Sequence, residues 1–210
     1  MRTLQNVDNI IFDLGEVILD LNPQNTIHEF NKLMGKDSVE HYSFSKQSDV
    51  FDKFETGKIT AAEFRNELRA ISGKDVVDED IDHAWNAMLV GIPKPKLEIL
   101  KKLKDQFQTF VLSNTNCIHI KWVNNYMEEH KYGKSLNEFF DAVYYSHDIG
   151  FRKPDDAAYT YILKKHHIPA DRSLFIDDRI ENIETAARLG IKTFHMKNRH
   201  SFFGLFEEYM

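Results

Sequence analysis

Ile10-Ile11-Phe12-Asp13-Leu14-Gly15-Glu16-Val17-Ile18 reads as an apolar strand with an aspartate at its tip, and far downstream Leu174-Phe175-Ile176-Asp177-Asp178 reads as a second, ending in two more. Burying a carboxylate at the C-terminal end of a parallel strand is costly unless something compensates its charge. Acids brought to such ends from remote segments therefore point to a shared cation.

Working outward, short apolar runs at 109–112, 142–145 and 192–195 look like further strands, each bounded by polar or turn residues. Helical patterns separate most of them. Residues 94–106 place Leu97, Leu100 and Leu103 at helical spacing, 155–166 precedes a strand, and 180–189 ends at Gly190, a good residue for leaving a helix. The alternation predicts an α/β fold, a doubly wound, Rossmann-like parallel sheet covered by helices on both faces.

Between Leu21 and Pro93 the alternation stops. Several helical patterns there are broken at Gly35, Gly57 and Gly73, and Thr60 opens a capping box with Glu63, followed by Phe64, Leu68 and Ile71. The expected organisation is a core of residues 1–20 and 94–210 with an all-helical cap, 21–93, inserted after the first strand. Ligands of open parallel sheets bind beyond the carboxyl ends of the strands, so this insert is placed as a lid. Phe44, Phe51, Phe54, Trp85 and Met88 are read as its core.

At 210 residues and 42% hydrophobic content the chain suits one globular unit with an inserted subdomain. Its net charge of −6, without a block of Lys or Arg, argues against nucleic acid or an anionic membrane as partner and for a small diffusible substrate. Cys117 stands alone and Met1 begins a polar segment, which suggests a cytoplasmic setting. Cys117 is taken as a small buried helix residue, and His166-His167 as a solvated helix end. No run reaches membrane-spanning length.

Asp13-Leu14-Gly15, Ser113-Asn114, Lys153-Pro154 and Asp177-Asp178 occur in that order, each at or just after an expected strand end. This order resembles the haloacid dehalogenase-like hydrolase superfamily over nearly the whole chain. Leu112-Ser113-Asn114-Thr115-Asn116, Gly150-Phe151-Arg152-Lys153-Pro154 and Ile176-Asp177-Asp178-Arg179-Ile180-Glu181-Asn182-Ile183 look like its small, helical-capped sugar phosphatases, of the α-D-glucose-1-phosphate phosphatase type. The resemblance implies a phosphomonoesterase that uses Mg²⁺ and passes through an aspartyl-phosphate. Asp13 would be the nucleophile, with Lys153 and Ser113 as its catalytic partners. Ser113, Asn114, Lys153, Leu14 and Gly15 would receive the substrate. Asp13, the carbonyl of Gly15 and Asp178 would hold the metal, backed by Asp177. Asn182, four residues past Asp178 and so one helical turn along, is spaced to support this loop or to stand as an exposed helical Asn. Phosphoryl transfer needs such a grouping, because an anionic nucleophile reaches phosphorus only when positive charge relieves the repulsion.

The pattern departs at one place. Most phosphatases of this superfamily carry a second aspartate, the general acid and base, where this chain has Gly15. General acid–base catalysis is typically worth ~10²–10⁴-fold. The expectation is therefore a preference for leaving groups that need little protonation, such as the anomeric oxygen of a sugar 1-phosphate. Glu16 is the nearest side chain that could stand in as acid, although it could equally face solvent or cap a helix. The alternatives are a metal-free 2-haloacid dehalogenase and a catalytically weak phosphate-binding protein. Two adjacent aspartates weigh against the dehalogenase, since a halide leaving group needs no metal.

Overall fold

The computed structural model describes residues 4–35 and 49–210. Strand β1, Asn9–Phe12, is buried along its length and runs down the middle of a five-stranded parallel sheet. The other strands are β4 (Gln108–Ser113), β5 (Ala142–Tyr145), β6 (Ser173–Asp177) and β7 (Lys192–His195), in the order β5-β4-β1-β6-β7. Successive residues of a strand point to opposite faces. Accordingly Ile10 and Phe12 enter one apolar cluster with Val111, Leu174 and Ile176, and Ile11 enters the other with Phe110, Leu112 and Phe175. Helices cover both faces, so the central strands β1, β4 and β6 carry the nearly continuous buried runs that a two-sided burial requires, while the edge strands β5 and β7 are partly exposed.

Phe12 lies in register between Val111 and Ile176, so the chain delivers Asp13 between the ends of β4 and β6. The aromatic tail closes one face, where buried Phe202 and Phe206 meet Phe12 at ring-centre distances of 6.5 and 6.0 Å.

The intervening stretch contains helices α1 (Pro23–Met34), α2 (Asp49–Glu55), α3 (Ala61–Ser72) and α4 (Asp78–Asn86). The Thr60–Glu63 capping box forms as expected, and α3 leaves through Gly73 in the left-handed region. Phe54 stacks on Phe64 at 4.3 Å, Phe51 sits 5.0 Å from Trp85, and all four are buried along with Met88. Phe44 lies outside the described residues. The segment is not purely helical: β2 (Asp20–Leu21) and β3 (Leu89–Gly91) pair antiparallel where the chain leaves the sheet domain and returns. Strands of two and three residues carry no period that a sequence pattern can display.

Polar and aromatic contacts fasten this segment to the sheet domain. Arg152 pairs with Asp52 and, at 3.2 Å, with Glu55 of α2. Gly57 comes so close to the carbonyl of His147 that a Cβ there would lie 2.2 Å from its oxygen; with φ at 68°, only glycine fits. The ring of His119 stacks on Trp85 at 4.7 Å. No helix among the described residues is long and apolar enough to cross a membrane.

Candidate active site

Lys153 is the centre of the site. Its Nζ donates to Asp13 Oδ1 at 2.6 Å and to Asp177 Oδ2 at 2.7 Å, joining the two strand tips expected to converge. The lysine side chain is 1% exposed and that of Asp177 not at all, so this ammonium bridges two carboxylates away from bulk water. Ligand atoms of Asp13, Asp177 and Asp178 lie within 4.8 Å of one another. Three carboxylates against one ammonium leave two negative charges, which a divalent cation would balance, and the donors are the hard oxygens that Mg²⁺ prefers.

Electrostatics register the crowding. Burial, with Asp177 and Asp178, pushes the Asp13 carboxyl up to about 7 against the pull of Lys153. Asp178 rises to about 6, again through burial first and then through Asp177. For Lys153, burial works against the ammonium, yet Asp13 and Asp177 outweigh it and its pKa is raised.

Each acid is held differently. Asp177 accepts from Asn182 Nδ2 at 3.0 Å on both oxygens and from the Arg179 backbone N–H at 2.8 Å, so Asn182 is a buried support of the acid loop rather than an exposed helical residue. Asp178, by contrast, receives no side-chain hydrogen bond on its carboxylate among the described residues. Ser113 is buried at the end of β4, and its hydroxyl makes no hydrogen bond within the described residues, leaving it for a ligand.

Three expected binding residues also make bonds within the protein. Asn114 does not aim its carboxamide freely at the pocket: Nδ2 donates to the Lys153 carbonyl at 2.7 Å, and Oδ1 accepts the Lys153 N–H at 2.8 Å. This amide-to-backbone clamp makes Asn114 a positioning residue for Lys153. The Leu14 side chain is buried in the core, and its carbonyl already accepts from Ile18 and Leu19, which leaves only its N–H for a ligand. The Gly15 carbonyl accepts Val17 N–H at 2.6 Å and keeps a second lone pair. A Cβ on Gly15 would sit 3.9 Å from Asp13 Oδ2 and only 2.9 Å from Leu21 Cδ1, so a side chain here would have to displace Leu21.

Glu16 is not free to act as an acid. Both its oxygens accept from Arg199 at 3.0 Å, and Oε1 also takes Leu21 N–H at 2.9 Å. Cys117 begins the helix Cys117–Glu129 and is exposed rather than buried, and its thiol is shifted up by desolvation, away from reactivity. His166 is only half solvated, packing 4.4 Å from Phe110 and sharing a 2.5 Å hydrogen bond with Tyr144. Sequence reasoning gave no role to His195, whose Nε2 lies 2.9 Å from the carbonyl of Asp178.

A profile of haloacid dehalogenase-like hydrolases matches residues 10–196. D-ribitol-5-phosphate phosphatase from Bacteroides thetaiotaomicron is 31% identical over 192 residues, covering 91% of this chain and 93% of that protein. A crystal structure of a haloacid dehalogenase family enzyme from the same organism, in complex with magnesium and inorganic phosphate, superposes with a TM-score of 0.85 at 34% identity, covering 90% of this chain and 93% of that one. A predicted hydrolase of this type from Porphyromonas gingivalis gives 0.82 at 31% identity, covering 90% of each chain.

Proposed function

The chain belongs to the haloacid dehalogenase-like hydrolase family, and from that premise we propose that it is a Mg²⁺-dependent phosphatase of small phosphorylated metabolites of the sugar-phosphate class. The observation that carries this reading is the Lys153 ammonium seated between Asp13 and Asp177, with Asp178 beside them. A nucleophilic carboxylate, a neutralising cation and a cluster of acids fit for a divalent ion are what attack on a phosphate dianion requires.

Asp13 attacks phosphorus through a carboxylate oxygen, the ester oxygen departs, and an aspartyl-phosphate remains; water then cleaves it and returns the carboxylate. Lys153 offsets the charge of Asp13 and of the incoming phosphoryl group, and Ser113 with the Leu14 N–H offers donors to its oxygens. Asn114 keeps Lys153 on target. Mg²⁺ would be held by Asp13, Asp178 and the Gly15 carbonyl, with Asp177 behind them, and would neutralise the phosphoryl oxygens. Residues 21–93 act as the lid that keeps bulk water and bulky phosphoproteins out. The unpaired Cys117 accords with a cytoplasmic enzyme.

With Gly15 in place of a proton donor and Glu16 held by Arg199, sugar 1-phosphates are the favoured substrates. The relative named for D-ribitol 5-phosphate supports a small sugar or sugar-alcohol ester, and puts a primary-alcohol leaving group into the same comparison. p-Nitrophenyl phosphate, whose phenolate leaves without a proton, should turn over with Mg²⁺ and not without it, and Asp13→Asn should abolish turnover while the fold persists. Unchanged activity in that variant overturns the reading. Equal kcat/KM on 1-phosphates and on 5- or 6-phosphates overturns only the 1-phosphate preference.

A further inference from the structure

The carboxylate expected to face the metal, Asp178, is the one acid of the site whose side chain no other side chain holds by hydrogen bond among the described residues. Its aim therefore depends on the backbone of the loop that carries it. That loop is gripped by the end of β7. His195 lies in register with Asp177, the following Met196 N–H donates to the Asp177 carbonyl at 2.9 Å, and His195 Nε2 reaches the Asp178 carbonyl at 2.9 Å. His195, the last residue of β7, and Met196 just after it thus take two successive carbonyls of the acid loop. A carbonyl can only accept, so Nε2 carries the hydrogen.

We propose that His195 is a positioning residue for the divalent cation: by holding the Asp178 carbonyl, it sets the direction in which the Asp178 carboxylate enters the site. The inference rests on the Mg²⁺-dependent reading above. Asp177 needs no such help, because Lys153, Asn182 and Arg179 already fix its carboxylate. Of the two neighbouring acids, only Asp178 has its aim entrusted to a side chain on another strand. Groups in this outer position typically tune metal affinity by ~10- to 100-fold.

The test is titration calorimetry of Mg²⁺ alone into the metal-free protein, with no substrate present. His195→Phe keeps a ring of similar size and removes the donor; His195→Gln keeps an N–H at comparable reach. Phe should weaken Mg²⁺ binding about tenfold, and Gln should stay within about threefold of the parent. At saturating Mg²⁺, kcat of the Phe variant on p-nitrophenyl phosphate should recover while the Mg²⁺ requirement stays raised, a split that general destabilisation does not produce. If Phe fails to fold, His195→Asn, too short to reach the carbonyl, takes its place and should bind as weakly. Parent-like affinity in the donorless variant, or a Gln variant as weak as Phe, overturns the inference. A parent protein that binds no Mg²⁺ overturns instead the reading on which it rests.

Discussion

Gly15→Asp tests the account of the missing acid. Gly15 does not have a backbone angle in the left-handed region, so nothing in its conformation demands glycine. The obstacle is space: an added Cβ meets Leu21 Cδ1 at 2.9 Å, while Asp13 Oδ2 lies 3.9 Å away, within reach of a carboxyl on that Cβ. Because the clash is with the mobile end of a leucine, Gly15→Asp alone should fold but lose about 1–3 kcal/mol through overpacking. Adding Leu21→Val removes both δ-methyls and should return most of that loss. The new carboxyl, placed among Asp13, Asp177 and Asp178, would have its proton held by like-charge repulsion, as a general acid needs. On an alkyl phosphate, whose alkoxide must be protonated to leave, the double variant should gain on the order of 10²-fold in kcat/KM, the lower end of what general acid catalysis supplies. On p-nitrophenyl phosphate it should gain little. The assay is the ratio of the two kcat/KM values for parent and variant, with thermal melting as the folding control. A folded double variant whose ratio equals that of the parent would refute the idea that Gly15 costs this enzyme a proton donor.

Arg152→Gln removes the two ion pairs to Asp52 and Glu55, and amide exchange along Asp49–Glu55 should accelerate about 5- to 30-fold, the equivalent of about 1–2 kcal/mol, with β1 unchanged; equal acceleration in both would refute the fastening role. His119 is lowered to about 4 by burial, against the pulls of the Trp85 carbonyl and of Asp82 that faces it. Its folded pKa is depressed, so the unfolded chain binds the proton first, and the associated stability, complete above pH ~6.5, falls by about 1.4 kcal/mol per unit as pH drops toward 4. Urea denaturation at pH 7 and pH 5 should show the parent losing about 2 kcal/mol more than His119→Gln, and equal losses would refute a buried neutral imidazole.

The parallel sheet was legible because its strands stand out as short apolar runs, two of which carry acids at their ends. Asp13 and Asp177 come together as read from those runs, since strand polarity alone sends such tips to one edge of the sheet, whereas Lys153, eight residues past the end of β5, was placed with them only by the family resemblance. What escaped the reading has a common character. Asn114 clamps a backbone 39 residues away, and Glu16 pairs with Arg199, 183 residues away. A polar side chain's partner across such separations leaves no local period, whereas an apolar face does. The same holds for His195, whose strand was read correctly and whose hydrogen bond was not.

These long-range bonds also explain why the site can be rigid before any ligand arrives. Lys153 is held at its backbone by Asn114 and at its ammonium by two carboxylates, and Asp177 is held by the lysine, an asparagine and a main-chain N–H. A buried group so enclosed has little freedom left to lose when substrate binds, which is the condition under which preset charges lower a barrier without reorganising. The arrangement is nevertheless incomplete as a piece of folding, because one ammonium cannot balance three neighbouring carboxylates. A divalent cation corrects that imbalance only in the native state, where the acids meet. A divalent ion bound among these acids would therefore also favour the fold that brings them together.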